Sequence, residues 1–244
     1  MKILLTLTTV MFSLATICHA GFLDRFSRDI LPPTQQINSK DNGTVVSGLK
    51  EALAIGTERA VRTVSKPDGY FGNQMIKILL PERLQQAANL LGKVGYQKQV
   101  DDLVLSMNRA AEKAAPVAVS FFGDAIRAMT LEDAKGILGG GDTAATEFFE
   151  KKTRERLFET FKPVVVKNME QVGTARAYKE MLGRYEALPL ASLTGRPAMD
   201  LDSYVTNKSL DGLFKMVGEE EKKIRRNPAA RTTELLKQVF GTSR

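Results

Sequence analysis

An all-α single domain, a bundle of roughly eight to ten helices with some kinked at proline, is what this sequence predicts. Three observations carry the prediction. Apolar residues recur three and four positions apart in one segment after another, the period of one helix face. Proline, glycine and short polar residues punctuate those segments where helices start and stop. Only "MIKILLP" (Met75–Pro81) invites a strand reading, and it is short.

Met1–Ala20 opens with Lys2, runs apolar from Ile3 to Ile17 and ends in Cys18-His19-Ala20. That is the pattern of a secretory leader cut after Ala20, leaving Gly21 as the N-terminus. The apolar run of about fifteen residues is short of the roughly twenty needed to span a bilayer, so no transmembrane segment is expected after cleavage. Residues 21–43 follow as an irregular lead-in, with "LPPTQQINSKDNG" carrying paired prolines and several turn formers.

The helical domain is expected from residue 44 to 241. "PERLQQAANLLG" places Pro81 in a first turn and Leu84, Ala87, Ala88 and Leu91 on one face. Val100, Leu103, Val104, Met107, Ala110, Ala111 and Ala114 repeat the spacing until Pro116, which ends or kinks that helix. Ala118, Phe121, Phe122, Ala125 and Met129 make the next stripe. "TLED" from Thr130 is a capping-box pattern, and "GGG" from Gly139 closes the short helix it opens. Asp142 is placed to cap a helix carrying Phe148, Phe149, Leu157, Phe158 and Phe161, with a break expected near Pro163. Tyr178, Met181, Leu182 and Tyr185 mark another helix. Asp200 or Asp202 caps the segment bearing Leu210, Leu213, Phe214, Val217, Glu221 and Ile224. Asn227 then Pro228 reads as a cap followed by proline at the first helical position, opening a last helix on Leu235, Leu236, Val239 and Phe240.

Composition limits the chemistry. Cys18 and His19 are the chain's only cysteine and histidine, and there is no tryptophan. Cleavage after Ala20 removes both, so a histidine base, a thiolate nucleophile and a His/Cys metal site are closed to the remainder. The exported chain, in the periplasm or outside the cell, then folds on its hydrophobic core without disulfides. No cofactor and no metal are expected.

Four local patterns have a plainer explanation than a site. "SGLK" at Ser47–Lys50 has the spacing of a serine–lysine nucleophile, but the partner motifs K-T-G and S-D-N are absent. "GGGD" at Gly139–Asp142 lacks the lysine and hydroxyl of a nucleotide loop and reads as a joint with a cap. "DLDSYVTNKSLD" at Asp200–Asp211 begins like a calcium loop, then puts Tyr204 and Val205 where a ligand and a glycine belong. Glu219, Glu220 and Glu221 with Lys222, Lys223, Arg225 and Arg226 read as a solvated face paired Glu219→Lys223 and Glu221→Arg225. Arg109 and Glu112 lie off the apolar stripe of their helix, either paired in water or facing a second layer.

Between about Thr44 and Gly241 the wording is similar to a bacterial family of unknown function, DUF4197. The resemblance is carried by "GLKEALAIGTERAV" (Gly48–Val61), "SMNRAAEKAAP" (Ser106–Pro116), "DTAATEFF" (Asp142–Phe149), "YVTNKSLDGLF" (Tyr204–Phe214) and, most strongly, "EEKKIRRNPAARTTELLKQVFG" (Glu220–Gly241). It implies an exported, helical, single-domain envelope protein and supplies no catalytic residues.

The net charge is +7 with an isoelectric point near 9.4. For an exported chain without basic–aromatic interleaving, nucleic acid is not the expected partner. Anionic lipid, lipopolysaccharide or wall polymer is. The candidate anion or partner site is Arg225, Arg226, Asn227 and Arg231, beside the N-terminus of the last helix. Three functions remain open at this level. One is a non-catalytic module that binds or scaffolds an anionic or amphipathic envelope partner. The others are a metal-independent hydrolase using carboxylates and Ser/Thr, and a carrier of an apolar ligand. A flat basic face, a cleft with a buried acidic pair, or a large apolar cavity would favour each in turn.

Overall fold

The computed structural model of the protein describes residues 42–189 and 200–227. The leader, the lead-in up to Asp41, Arg231 and the helix expected after Asn227 therefore lie outside the described residues. Within them the chain is all-helical and forms one domain, with no strand. The order is α1 (Asn42–Val64), α2 (Glu82–Lys93), α3 (Gln97–Ala114), a 3-10 turn (Ala115–Val117), α4 (Ala118–Arg127), α5 (Leu131–Gly139), α6 (Ala144–Gln171), α7 (Thr174–Glu186) and α8 (Leu201–Arg226).

The local signals act where the sequence puts them. In α2 the buried residues are Leu84, Ala87, Ala88 and Leu91, with Pro81 at the N-cap. Pro116 converts the end of α3 into a 3-10 turn before α4 resumes. Thr130 and Asp133 close the capping box of α5: the Asp133 N–H donates to the Thr130 hydroxyl, and the Thr130 N–H donates to the Asp133 carboxylate. Asp200 caps α8 by accepting from the Ser203 N–H at 3.0 Å.

The partition into eight to ten helices is off in its details. No break occurs at Pro163; α6 runs through it to Gln171. The reason is the stripe Thr153, Leu157, Phe161, Val165 and Met169, buried on both sides of the proline. Pro163 itself is exposed, as is Glu159, whose carbonyl has no N–H to accept from at the proline. Packing along one face outweighs a missing bond on the other.

α6 is the spine. It packs against α8, α3, α4, α5 and α7, while α8 also lies along α1 and α3 also lies along α7. Phe122 of α4 meets Phe149 of α6 at 5.5 Å and Phe214 of α8 at 5.9 Å between ring centroids, joining three helices at the centre. No single described helix is long and apolar enough to cross a membrane. The bent pair Gln97–Arg127 with Leu131–Gly139 passes on length and composition, but its Leu103, Met107, Phe122, Ile126 and Ile137 are core residues.

Residues 65–81, between α1 and α2, run without regular structure across the C-terminal half of α3 and the N-terminal half and middle of α8. The close approach depends on Gly212 of α8: a Cβ there would sit 2.6 Å from the Tyr70 ring and 3.1 Å from Ile76. This segment contains the strand-like run of the sequence and positions the candidate site.

Candidate functional site

Three glutamates are buried, Glu112, Glu220 and Glu221, and two of them, Glu221 and Glu112, tie separate elements together. Glu221 of α8 is 7% exposed and accepts from the Ala145 and Thr146 N–H groups at 2.9 Å and from the Thr146 hydroxyl at 2.8 Å. Those N–H groups belong to the first turn of α6, which has no cap from its own Thr143. A carboxylate from another helix therefore sits where the helix dipole favours an anion. Arg225 donates to Glu221 at 2.9 Å and to the Ile137 carbonyl at 2.7 Å, tying in the end of α5.

The acidic run of α8 is thus not a solvated face. Glu220 and Glu221 are both buried, because α8 turns this side toward α1 and α6. The Glu221→Arg225 pair forms as the spacing predicts. The Glu219→Lys223 pair does not: Lys223 goes to Glu220 at 2.6 Å, and Glu219 takes Lys222 at 3.0 Å and Lys215 at 3.7 Å.

The arginines proposed from sequence lie beside this knot. Arg225 is almost enclosed and Arg226 is exposed, its guanidinium paired with Asp142. That pair holds the Asp142 carboxyl below the usual carboxylate range and raises the arginine further. Asp142 closes the turn onto α8 rather than capping α6. Asn227 is the C-cap of α8, its N–H donating to the Lys223 carbonyl.

The second carboxylate, Glu112, is 3% exposed and faces a second layer rather than water. It accepts from the Tyr70 and Phe71 N–H groups at 3.1 and 3.2 Å and from Arg109 at 2.7 Å; Arg109 continues to Asp68 at 2.7 Å. One turn earlier on the same face, fully buried Asn108 clamps Ile78: its amide oxygen accepts from the Ile78 N–H and its amide nitrogen donates to the Ile78 carbonyl, both at 2.8 Å. Buried Tyr70 donates to the Ser209 carbonyl at 2.6 Å. Burial, reinforced by Glu112 and Asp211, pushes its hydroxyl far above the ordinary tyrosine range, so it remains a donor. This polar face of α3 does for Ile78 what a neighbouring strand would do.

Along the outer side of the clamped segment, between it and α8, runs a groove of about 720 Å³. Met75, Leu79, Lys77, Arg83, Lys208 and Lys215 line it together with two acids, Glu82 and Asp211. Asp211 is held by Arg154 at 2.5 Å and Lys208 at 3.4 Å. Tyr204, also on the wall, donates to the Leu79 carbonyl at 2.9 Å. The apolar cavity between α1, α6 and α8, lined by Leu49, Leu53, Phe149, Val217 and Ile224, has a volume of about 20 Å³, room for one water. Among the described residues no group of three or more carboxylates is placed to hold a metal ion.

Sequence reasoning missed Asn108, Tyr70 and the groove. The available signal was the apolar run Met75–Pro81, which invites a strand reading but is short. What the fold and surface define is a helical module with hydrogen-bonded buried acids and a groove lined by lysines, an arginine and apolar side chains. The chain belongs to the DUF4197 family: its model, described as a protein of unknown function, matches residues 39–241. No curated protein and no solved structure matches the chain.

Proposed function

We propose that the protein is an exported, non-catalytic envelope module that binds an anionic, amphipathic partner along the groove between residues 75–83 and α8. The observation that supports it is the groove's lining, where four cations (Lys77, Arg83, Lys208, Lys215) outnumber two acids around exposed Met75 and Leu79. A site for an anion needs the cations, and a site for an amphiphile needs the apolar side chains as well. The buried carboxylates lend this reading indirect support. Glu112 and Glu221 sit in separate parts of the fold, each held by hydrogen bonds that join helices and segments, and Glu220 is paired with Lys223. A carrier would need an interior chamber, and the apolar cavity described above has the volume of a water molecule.

The test is binding to anionic vesicles, lipopolysaccharide and an anionic wall polymer, against neutral vesicles, with the triple variant Arg83→Gln/Lys208→Gln/Lys215→Gln. The parent should bind at least one anionic partner, more weakly as salt screens the charges. The variant should bind less at low salt while melting within about 1 kcal/mol of the parent, since exposed ion pairs contribute little to stability. Equal binding by parent and variant overturns the reading.

A further inference from the structure

The row Met75–Leu80 alternates sharply. Ile76, Ile78 and Leu80 are buried at 7%, 1% and 5% exposure, whereas Met75 and Leu79 stand out at 60% and 56% with Lys77 between them. Asn73–Lys77 is a turn, closed by the Ile76 and Lys77 N–H groups on the Asn73 carbonyl, and with the irregular chain after it the segment keeps Ile76, Ile78 and Leu80 on the core side and Met75 and Leu79 outward. Apolar side chains this exposed are uncommon here: among the described residues the only other large one is Val94. The presentation is fixed. Asn108 holds Ile78 by both backbone groups, and Tyr204 holds the Leu79 carbonyl from the other side. Met75 and Leu79 are therefore displayed on a clamped backbone, with little ordering left to cost affinity on binding.

Resting on the reading above, we infer that the partner is a lipid bilayer surface bearing anionic headgroups, and that the outward row Met75–Lys77–Leu79 enters its interface. Charge complementarity selects this occupant. Lys77, 4.0 Å from the centre of the Phe71 ring, and Arg83 have no ion-pair partner among the described residues. Lys208 and Lys215 make only long ion pairs of 3.4 and 3.7 Å that phosphate oxygens can replace. A bilayer rewards both features at once: side chains that reach the acyl boundary, and cations at headgroup level. A polysaccharide or a free anion would use the cations and leave Met75 and Leu79 in water.

The chain has no tryptophan, so Leu79→Trp places a single reporter in the row. The processed chain, its N-terminus read by intact mass, is mixed with vesicles of phosphatidylcholine alone or with phosphatidylglycerol. Emission should shift to the blue, and be quenched by lipids brominated on their acyl chains, with the phosphatidylglycerol vesicles. A control reporter on the exposed face of α6, Glu155→Trp, should do neither. The pair Met75→Ser/Leu79→Ser should weaken vesicle binding about tenfold or more, about 1.4 kcal/mol, with unchanged melting. Vesicle binding without a change at Leu79→Trp overturns the inference and leaves an anionic partner standing. Binding to lipopolysaccharide or wall polymer but not to vesicles does the same. No binding to any anionic partner removes both readings. Emission that is already blue without lipid shows the row covered by another part of the chain, and overturns the inference.

Discussion

Replacing Glu221 by alanine tests the central claim that a carboxylate from α8 holds the N-terminus of α6. The side chain is 7% exposed, and its ion-pair partner Arg225 is 12% exposed. Alanine removes the acceptor for the Ala145 and Thr146 N–H groups and leaves a nearly enclosed guanidinium without its carboxylate. Breaking a buried ion pair by removing one partner costs about 3–5 kcal/mol. In a domain of this size each kcal/mol moves the melting temperature by about 2–4 °C, so the expected fall is about 6–20 °C. Glu221→Gln should fall between the two, because one carbonyl oxygen still faces the helix terminus while the charge is gone. Arg225→Ala should cost less than Glu221→Ala, because the carboxylate keeps its helix N–H partners. The double variant should then show coupling of about 0.5–3 kcal/mol, since the two residues touch. Thermal melts followed by circular dichroism measure all four. If Glu221→Ala melts within about 1 kcal/mol of the parent, as exposed acids do, the carboxylate is not holding α6 and the reasoning fails.

Three further outcomes follow from the geometry. Asn108→Leu keeps the branched shape but strands the Ile78 N–H and carbonyl in the core; at about 1–3 kcal/mol for each buried group left unpaired, it should lower melting clearly and speed proteolysis near residues 73–80. Arg226→Ala, which frees only the exposed Asp142 pair, should melt close to the parent; if it also abolished binding to acidic vesicles while the groove variants did not, the partner site would belong at the end of α8, where the sequence alone placed it. Hydrogen bonds from Thr130 and Ser203, and pairing with Arg226 and Lys222, hold Asp133, Asp200, Asp142 and Glu219 below the usual carboxylate range. Their stabilisation is present above the unfolded-state values near pH 4 and is lost as pH falls through the lower folded-state values, so denaturant midpoints should drop between pH 5 and pH 2. Asp202, raised by burial and by Asp200, works in the opposite sense, and a midpoint that climbed on acidification would show that it dominates.

The sequence by itself determined the helical class, the faces of α2 and α3, the capping box at Thr130, a cap for α8 at Asp200 or Asp202, and the interruption at Pro116. Each of these depends on residues within about one turn of one another, and that range is where periodicity and capping operate. The same range made Pro163 look like a helix end, because the stripe that carries α6 through it is stabilised by partners on α3, α4 and α8. It also made Glu219–Glu221 look solvated and left Arg109–Glu112 undecided between water and a second layer. Only the tertiary structure decided these, since the N–H groups that donate to Glu221 lie 75 and 76 residues away on α6, and the Glu112 and Asn108 partners in the 65–81 segment lie 30 to 42 residues away. An isolated helix pattern shows which face is polar but not which backbone groups that face will meet. Burying a carboxylate or an amide is tolerable only when such groups are met, so the fate of each polar residue was settled by long-range packing.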